Sequence, residues 1–173
     1  MNPSVPDAEQ VLAVIEPISW DGIATIIAAL LATVVAVAGY SIQQRIARKQ
    51  RRAENYSDAL RTVEDYLEAP YLVLRRDGSA AARQSITTHI SDIQSRLSYY
   101  CALLEIHAHA EISTAYKALV SAARAEAGKA MREAWEKRPT RRDRGVSISS
   151  RLDRSRSDDA RRIFISAVKE RDA

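Results

Sequence analysis

An uncharged run from Gly22 to Gln44, closed abruptly by Arg45, Arg48, Lys49, Arg51 and Arg52, constrains this chain more than any other feature. Up to Ile42 its only small polar side chains are Thr25, Thr33 and Ser41. About 20 apolar residues, rising about 1.5 Å each, match the roughly 30 Å hydrocarbon core of a bilayer. Trp20 and Tyr40 stand near its two edges, where amphipathic rings favour the headgroup layer. The sequence therefore predicts a transmembrane helix over residues 22–42.

The flanking charges set its direction. Asp7, Glu9, Glu16 and Asp21 precede the span with no Lys or Arg among them, whereas five basic residues follow within eight positions. The positive-inside rule puts residues 1–21 outside as an extracytoplasmic tail and everything beyond Gln44 in the cytoplasm. A cleaved signal peptide has a basic region before a shorter apolar core, and here that region is acidic. A buried helix of a soluble domain usually carries a polar face, and this segment has none. Arginine far outnumbers lysine and asparagine is scarce, which points to a high-GC bacterial genome or one of its phages. The expected location is thus a bacterial inner membrane with an anionic inner leaflet.

Within the span, Ala24, Ala28, Ala32 and Ala36 recur at every fourth position, and Thr25, Ala29 and Thr33 form an adjacent small ridge. Lipid supplies no hydrophobic drive for helices to associate, so close backbone approach along such a ridge is a usual means. The ridge is either a packing face for a second helix, from another copy or another membrane protein, or a by-product of a chain rich in alanine.

Beyond the span the helical pattern continues. Ile42, Ile46, Ala53, Tyr56, Leu60, Val63 and Leu67 recur at three- and four-residue steps, close to a heptad, with Lys49 the polar interruption. Pro70 ends or bends this helix, and Arg76-Asp77-Gly78-Ser79 supplies a turn. A second stripe follows in Ile86, Ile90, Ile93, Leu97, Tyr100 and Leu104. A third comprises Ile112, Tyr116, Leu119, Ala123, Ala127, Ala130 and Ala134, flanked by Met131 and Trp135. Neither proline nor glycine separates the last two stripes. One uninterrupted helix would far exceed the usual length of about 11–12 residues, so a corner near Ala108–Ala110 is expected. The fold class is therefore all-α: a transmembrane helix continuing into a small cytoplasmic antiparallel helical bundle over residues 43–137. Its stripes serve as the core of one monomer rather than as coiled-coil seams.

Residues 138–173 change character. Arg138, Arg141, Arg142, Arg144, Arg151, Arg154, Arg156, Arg161 and Arg162 are interspersed with serine and aspartate, and little is there to bury. A basic flexible tail is expected, in which Ser157-Asp158-Asp159 can cap a short final helix with Ile163, Phe164, Ala167 and Val168 on its apolar side, free to lie on the inner leaflet, to dock back onto the bundle or to do neither. Arginine in such density suits anionic lipid or the phosphates of nucleic acid. The interleaved aromatics of a single-strand binder are missing, since Phe164 is the one aromatic beyond Trp135.

No catalytic chemistry is spelled out. His107 and His109 with Glu105 and Glu111 are the one cluster of ligand-type side chains, yet on a continuous helix the two histidines point to different faces. Cys101 lies near an apolar stripe, where a thiol acts as a small hydrophobe, and His107 is not on a neighbouring turn. The acidic stretch of Asp58, Glu64, Asp65 and Glu68 reads as a solvated face. Walker-type, GxGxxG, GxSxG and CxxC motifs are absent. The expectation is a non-enzyme without cofactor: a single-pass scaffold or accessory protein acting through protein–protein contacts. The alternatives are a membrane tether for nucleic acid and a small phage or toxin-like membrane-active effector.

Overall fold

The computed structural model describes residues 20–139 and 152–172. Regular structure among them is helical throughout: α1 (Trp20–Leu74), α2 (Ala80–His107), α3 (Ala110–Glu136) and α4 (Ser155–Asp172). Two compact units divide the chain, Met1–Arg48 and Lys49–Ala173. The expected outer tail up to residue 19, and Arg141, Arg142, Arg144 and Arg151 of the basic tail, lie outside the described residues.

In the first unit every side chain from Ala24 to Arg48 is exposed. The exposure runs round the whole circumference, from 52% at Ile27 to 71% at Val35, so no face is polar and none is covered. Its polar side chains turn back on their own helix. Thr33 Oγ1 donates to Ala29 O at 2.8 Å, Ser41 Oγ to Ala38 O at 2.8 Å, and Gln44 Nε2 to Tyr40 Oη at 2.8 Å. Such internal pairing is what a helix needs where no water can satisfy it. Among the described residues this is the one helix long and apolar enough to cross a membrane.

The second unit is held by one cluster of buried side chains drawn from all four helices. Alternation along α1 buries Tyr56, Ala59, Val63, Tyr66 and Leu67, α2 adds Ile93, Leu97 and Leu104, and α3 contributes the most, from Ile112 to Ala134. The alanines at 115, 123, 127 and 134 keep α3 slim on its buried side, which lets its neighbours approach closely. Cross-links fix the helix directions. Glu105 meets Lys117 and Ser98 meets Arg124, so α2 and α3 run oppositely. Ala59 meets Tyr116 and Arg76 meets Ala134, so α3 runs parallel to α1. Tyr71 meets Leu152 and Tyr56 meets Phe164, so α4 runs against α1.

Two regions bear on the sequence reading. Of the two outcomes open at Pro70, an end or a bend, the end is not taken: α1 continues to Leu74. The lost N–H and the ring clash cost about 3 kcal/mol. Burial of Pro70 together with Ala69 and Val73 offsets this, and Arg75 N donates to Tyr71 O at 3.1 Å just beyond. The second region, the tail, departs from expectation. From Leu152 onward it is not a loose segment: α4 is an 18-residue helix, and Phe164 is buried between Tyr56 and Tyr116, with ring centroids at 6.4 and 5.5 Å. Of the apolar side foreseen for a short terminal helix, Phe164, Ala167 and Val168 join the core while Ile163 is exposed, so α4 adds a fourth helix to the three stripes read over residues 43–137.

The α2–α3 corner falls where the periodicity put it. Ala108 and His109 are both extended, at φ −100°, ψ 165° and φ −63°, ψ 147°. Glycine is unnecessary here because burial of Leu104 and Ile112 and the 2.7 Å Glu105–Lys117 pair close the hairpin from both sides. The α1–α2 turn does need its glycine. Gly78 has φ 86°, and a Cβ there would lie 2.9 Å from the Pro139 ring. Asp77 Oδ1 accepts from Ser79 N at 2.8 Å and Ser79 Oγ accepts from Ala82 N at 3.0 Å, a side-chain cap that starts α2.

Candidate functional site

The described residues assemble three candidate surfaces: the bare apolar helix, its basic border, and the faces that receive α4. On the first, Ala24, Ala28, Ala32 and Ala36 lie along one exposed row of α1. On the second, Arg45, Arg48, Lys49, Arg51 and Arg52 are all exposed on the same helix.

Arg154, Arg161 and Arg171 are turned inward onto the domain's own acids. Glu64 of α1 pairs with both Arg154 and Arg161, and Arg154 also reaches Glu68 at 3.5 Å. Arg171 grips Glu111 of α3 through two nitrogens, at 2.7 and 2.6 Å, a bidentate pair that holds the Glu111 carboxyl below its ordinary range. Arg162 pairs within α4 with Asp159, while the Arg138 and Arg156 side chains are exposed. The acidic stretch of α1 is the expected solvated face at Asp58 and Glu68, both exposed, whereas Glu64 and Asp65 are half-covered by partners. Glu64 and Glu68 receive α4, and Asp65 lies 3.5 Å from Arg96 of α2.

The start of α4 is capped by another helix. Glu126 of α3 accepts from Arg156 N at 2.9 Å and Ser157 N at 3.1 Å, and also from the hydroxyl of the fully buried Ser157. A carboxylate placed on free N–H groups at the positive end of a helix is favourable. Asp153 Oδ1 accepts from Ser155 N at 3.1 Å, and that backbone hydrogen bond lowers its carboxyl.

The same end of the domain also rests on Arg76, which the sequence marks only as part of a turn. The residue is 7% exposed, and its guanidinium donates to Val73 O at 2.9 Å, Ala134 O at 2.8 Å, Trp135 O at 2.9 Å and Lys137 O, while lying 4.8 Å from the Trp135 ring centroid. One side chain thereby satisfies the last carbonyls of both α1 and α3.

The weighed chemistry resolves as follows. Among the described residues no group of three or more His, Cys, Asp or Glu side chains is placed to hold a metal ion. Glu105 and Glu111 are engaged by Lys117 and Arg171, and His107 and His109 are exposed at the corner. Burial pushes the Cys101 thiol upward, away from the reactive thiolate. Tyr116, raised strongly by burial, donates its hydroxyl to Ala59 O at 3.2 Å and is a core strut. No family model, curated protein or solved structure matches this chain.

Proposed function

We propose that the protein is a single-pass bacterial inner-membrane scaffold or accessory subunit, N-terminus outside, whose cytoplasmic antiparallel helical bundle works by binding other proteins. One observation carries this reading: α1 is apolar and uncovered on all sides from Ala24 to Ile42, then becomes the charged, one-sided helix of a packed domain. The first part calls for a hydrocarbon solvent and the second for water. The basic cluster at Arg45–Arg52 divides the two and supplies the orientation. The alanine row offers a contact face for a second copy or another membrane protein.

Nucleic-acid tethering is the weaker reading, because Arg154 and Arg161 are committed to Glu64 and Arg171 to Glu111. The test of the preferred reading has two arms. Alkaline extraction of membranes should leave the protein in the pellet, and a Ser4→Cys variant lacking Cys101 should react in intact cells with a maleimide that cannot enter them. Extraction into the soluble fraction, or labelling only after lysis, refutes the anchor or its orientation. Ala28→Leu with Ala32→Leu should then weaken association in the membrane; unchanged association removes the ridge from the account.

A further inference from the structure

An apolar groove of about 590 Å³ runs between the start of the domain's α1 segment and the end of α4. That volume falls within the roughly 300–1,000 Å³ of small-molecule sites, which are mostly apolar with a few polar groups fixing orientation. Tyr56, Leu60, Phe164 and Val168 make its walls, and Lys169 stands on its rim. α1 and α4 run oppositely, so Lys169 lies at the Ala53 end, away from Leu60. One helical turn before the groove, Lys49 shares a helix face with Ala53, whereas Arg52 lines a separate cleft toward α2 with Leu103 and His107. Lys169 and Lys49 thus stand at one end of an apolar trough. Neither nearby acid lines the groove: Glu54 accepts from Gln50, and Glu170 accepts from Ser166 at the edge of a different groove.

The neighbouring α3/α4 groove makes the contrast. It has similar walls, with Ala115, Ala118, Ile163 and Ala167, but Glu111 and Glu170 at its edge. Arg171 neutralises Glu111 there, which leaves the Glu170 carboxylate at that edge to disfavour an anion, whereas the α1/α4 groove has Lys169 at its rim.

We propose that the α1/α4 groove binds a single-chain anionic lipid, a long-chain fatty acid. Its chain lies along Tyr56, Leu60, Phe164 and Val168, and its carboxylate is held by Lys169 with Lys49. A trough between two helices accepts one chain, and the cations at its end take one negative head. The proposal rests on the membrane-anchored reading, since the bilayer is the source of the ligand.

The experiment uses the full-length protein in phosphatidylcholine nanodiscs with a palmitate carrying a photoreactive diazirine, and maps the labelled peptides by mass spectrometry. Labelling is expected on the span, and also on the Tyr56 and Phe164 peptides, where unlabelled palmitate competes. Ser57 is exposed and lines the groove, so Ser57→Trp fills the groove from outside the core and should cut groove labelling at least tenfold while span labelling persists. Lys169→Glu, a surface change, should reduce it several-fold. Thr114→Trp in the α3/α4 groove should leave it unchanged. Absence of groove labelling, its persistence in Ser57→Trp, or equal labelling of both grooves overturns the proposal. Absence of span labelling overturns the anchored reading instead.

Discussion

Removing one carboxylate should release α4 without unfolding the rest of the domain. In Glu126→Ala the amides of Arg156 and Ser157 lose their acceptor and the buried Ser157 hydroxyl loses its partner. An N-cap is worth about 0.5–2 kcal/mol and a hydrogen bond to a charged group about 1.5–3 kcal/mol. The Arg156 amide can be rehydrated, because its site is exposed, so a net loss of about 2 kcal/mol is expected. At about 1.4 kcal/mol per tenfold change, α4 should open roughly 30-fold more often. Hydrogen exchange on the full-length protein in detergent should therefore show α4 amides from Ala160 to Val168 exchanging about 30-fold faster, with α2 amides from Ile93 to Leu104 unchanged. Glu126→Gln should fall between, since one amide oxygen replaces two carboxylate oxygens. An effect below about threefold would refute the claim that Glu126 caps α4, and equal acceleration of α2 would show that the loss is global.

Three further outcomes follow from the same contacts. Arg76→Ala strands buried carbonyls at the ends of α1 and α3, which should cost about 3 kcal/mol and lower the thermal midpoint by about 10 °C; Trp135 fluorescence reads the melt, and a shift under 2–3 °C on the order of experimental scatter would contradict the clamp. Acid should loosen the domain: Glu111, through Arg171, and Asp77 and Asp153, through serine N–H groups, all have lowered carboxyl pKa values in the fold. Their contribution is present above the unfolded values of about 4 and is lost as pH falls through the depressed ones, so the urea midpoint should drop below about pH 4, less so in Glu111→Gln. A midpoint flat from pH 6 to pH 3 would count against these pairs. Gly78→Ala combines a positive φ with a contact to Pro139 and should destabilise by about 1–2 kcal/mol, measured by urea titration; a neutral effect would mean the turn relaxes.

How far the sequence reached depended on the range of the interactions. The uncharged run and the stripes at Ile93, Leu97 and Leu104, and at Ile112, Tyr116 and Leu119, are local patterns; the stripe residues are buried and the run is exposed on all sides. The corner at Ala108 was legible because neither stripe has a partner unless the chain folds back. The docking of α4 was not, because its evidence is split across about ninety residues: Glu64 reads as one more surface acid until Arg154 and Arg161 stand beside it. The signal available was pairwise, acids at 64 and 68 one turn apart against arginines spaced for one helix face, with Phe164 between. Arg76 escaped for a similar reason, since its acceptors on α3 lie some sixty residues away. Pro70 left both an end and a bend open because proline chemistry is local, while the burial that carries α1 past it is tertiary.

The central claim, a membrane-anchored helical subunit that works by association, is tested most directly by purifying the full-length protein from its native membrane in mild detergent. Its mass and co-purifying proteins are then measured. The account predicts a defined assembly, either a homo-oligomer or a complex with a second membrane protein in fixed stoichiometry, that Ala28→Leu with Ala32→Leu weakens. A monomer with no stoichiometric companion would contradict it.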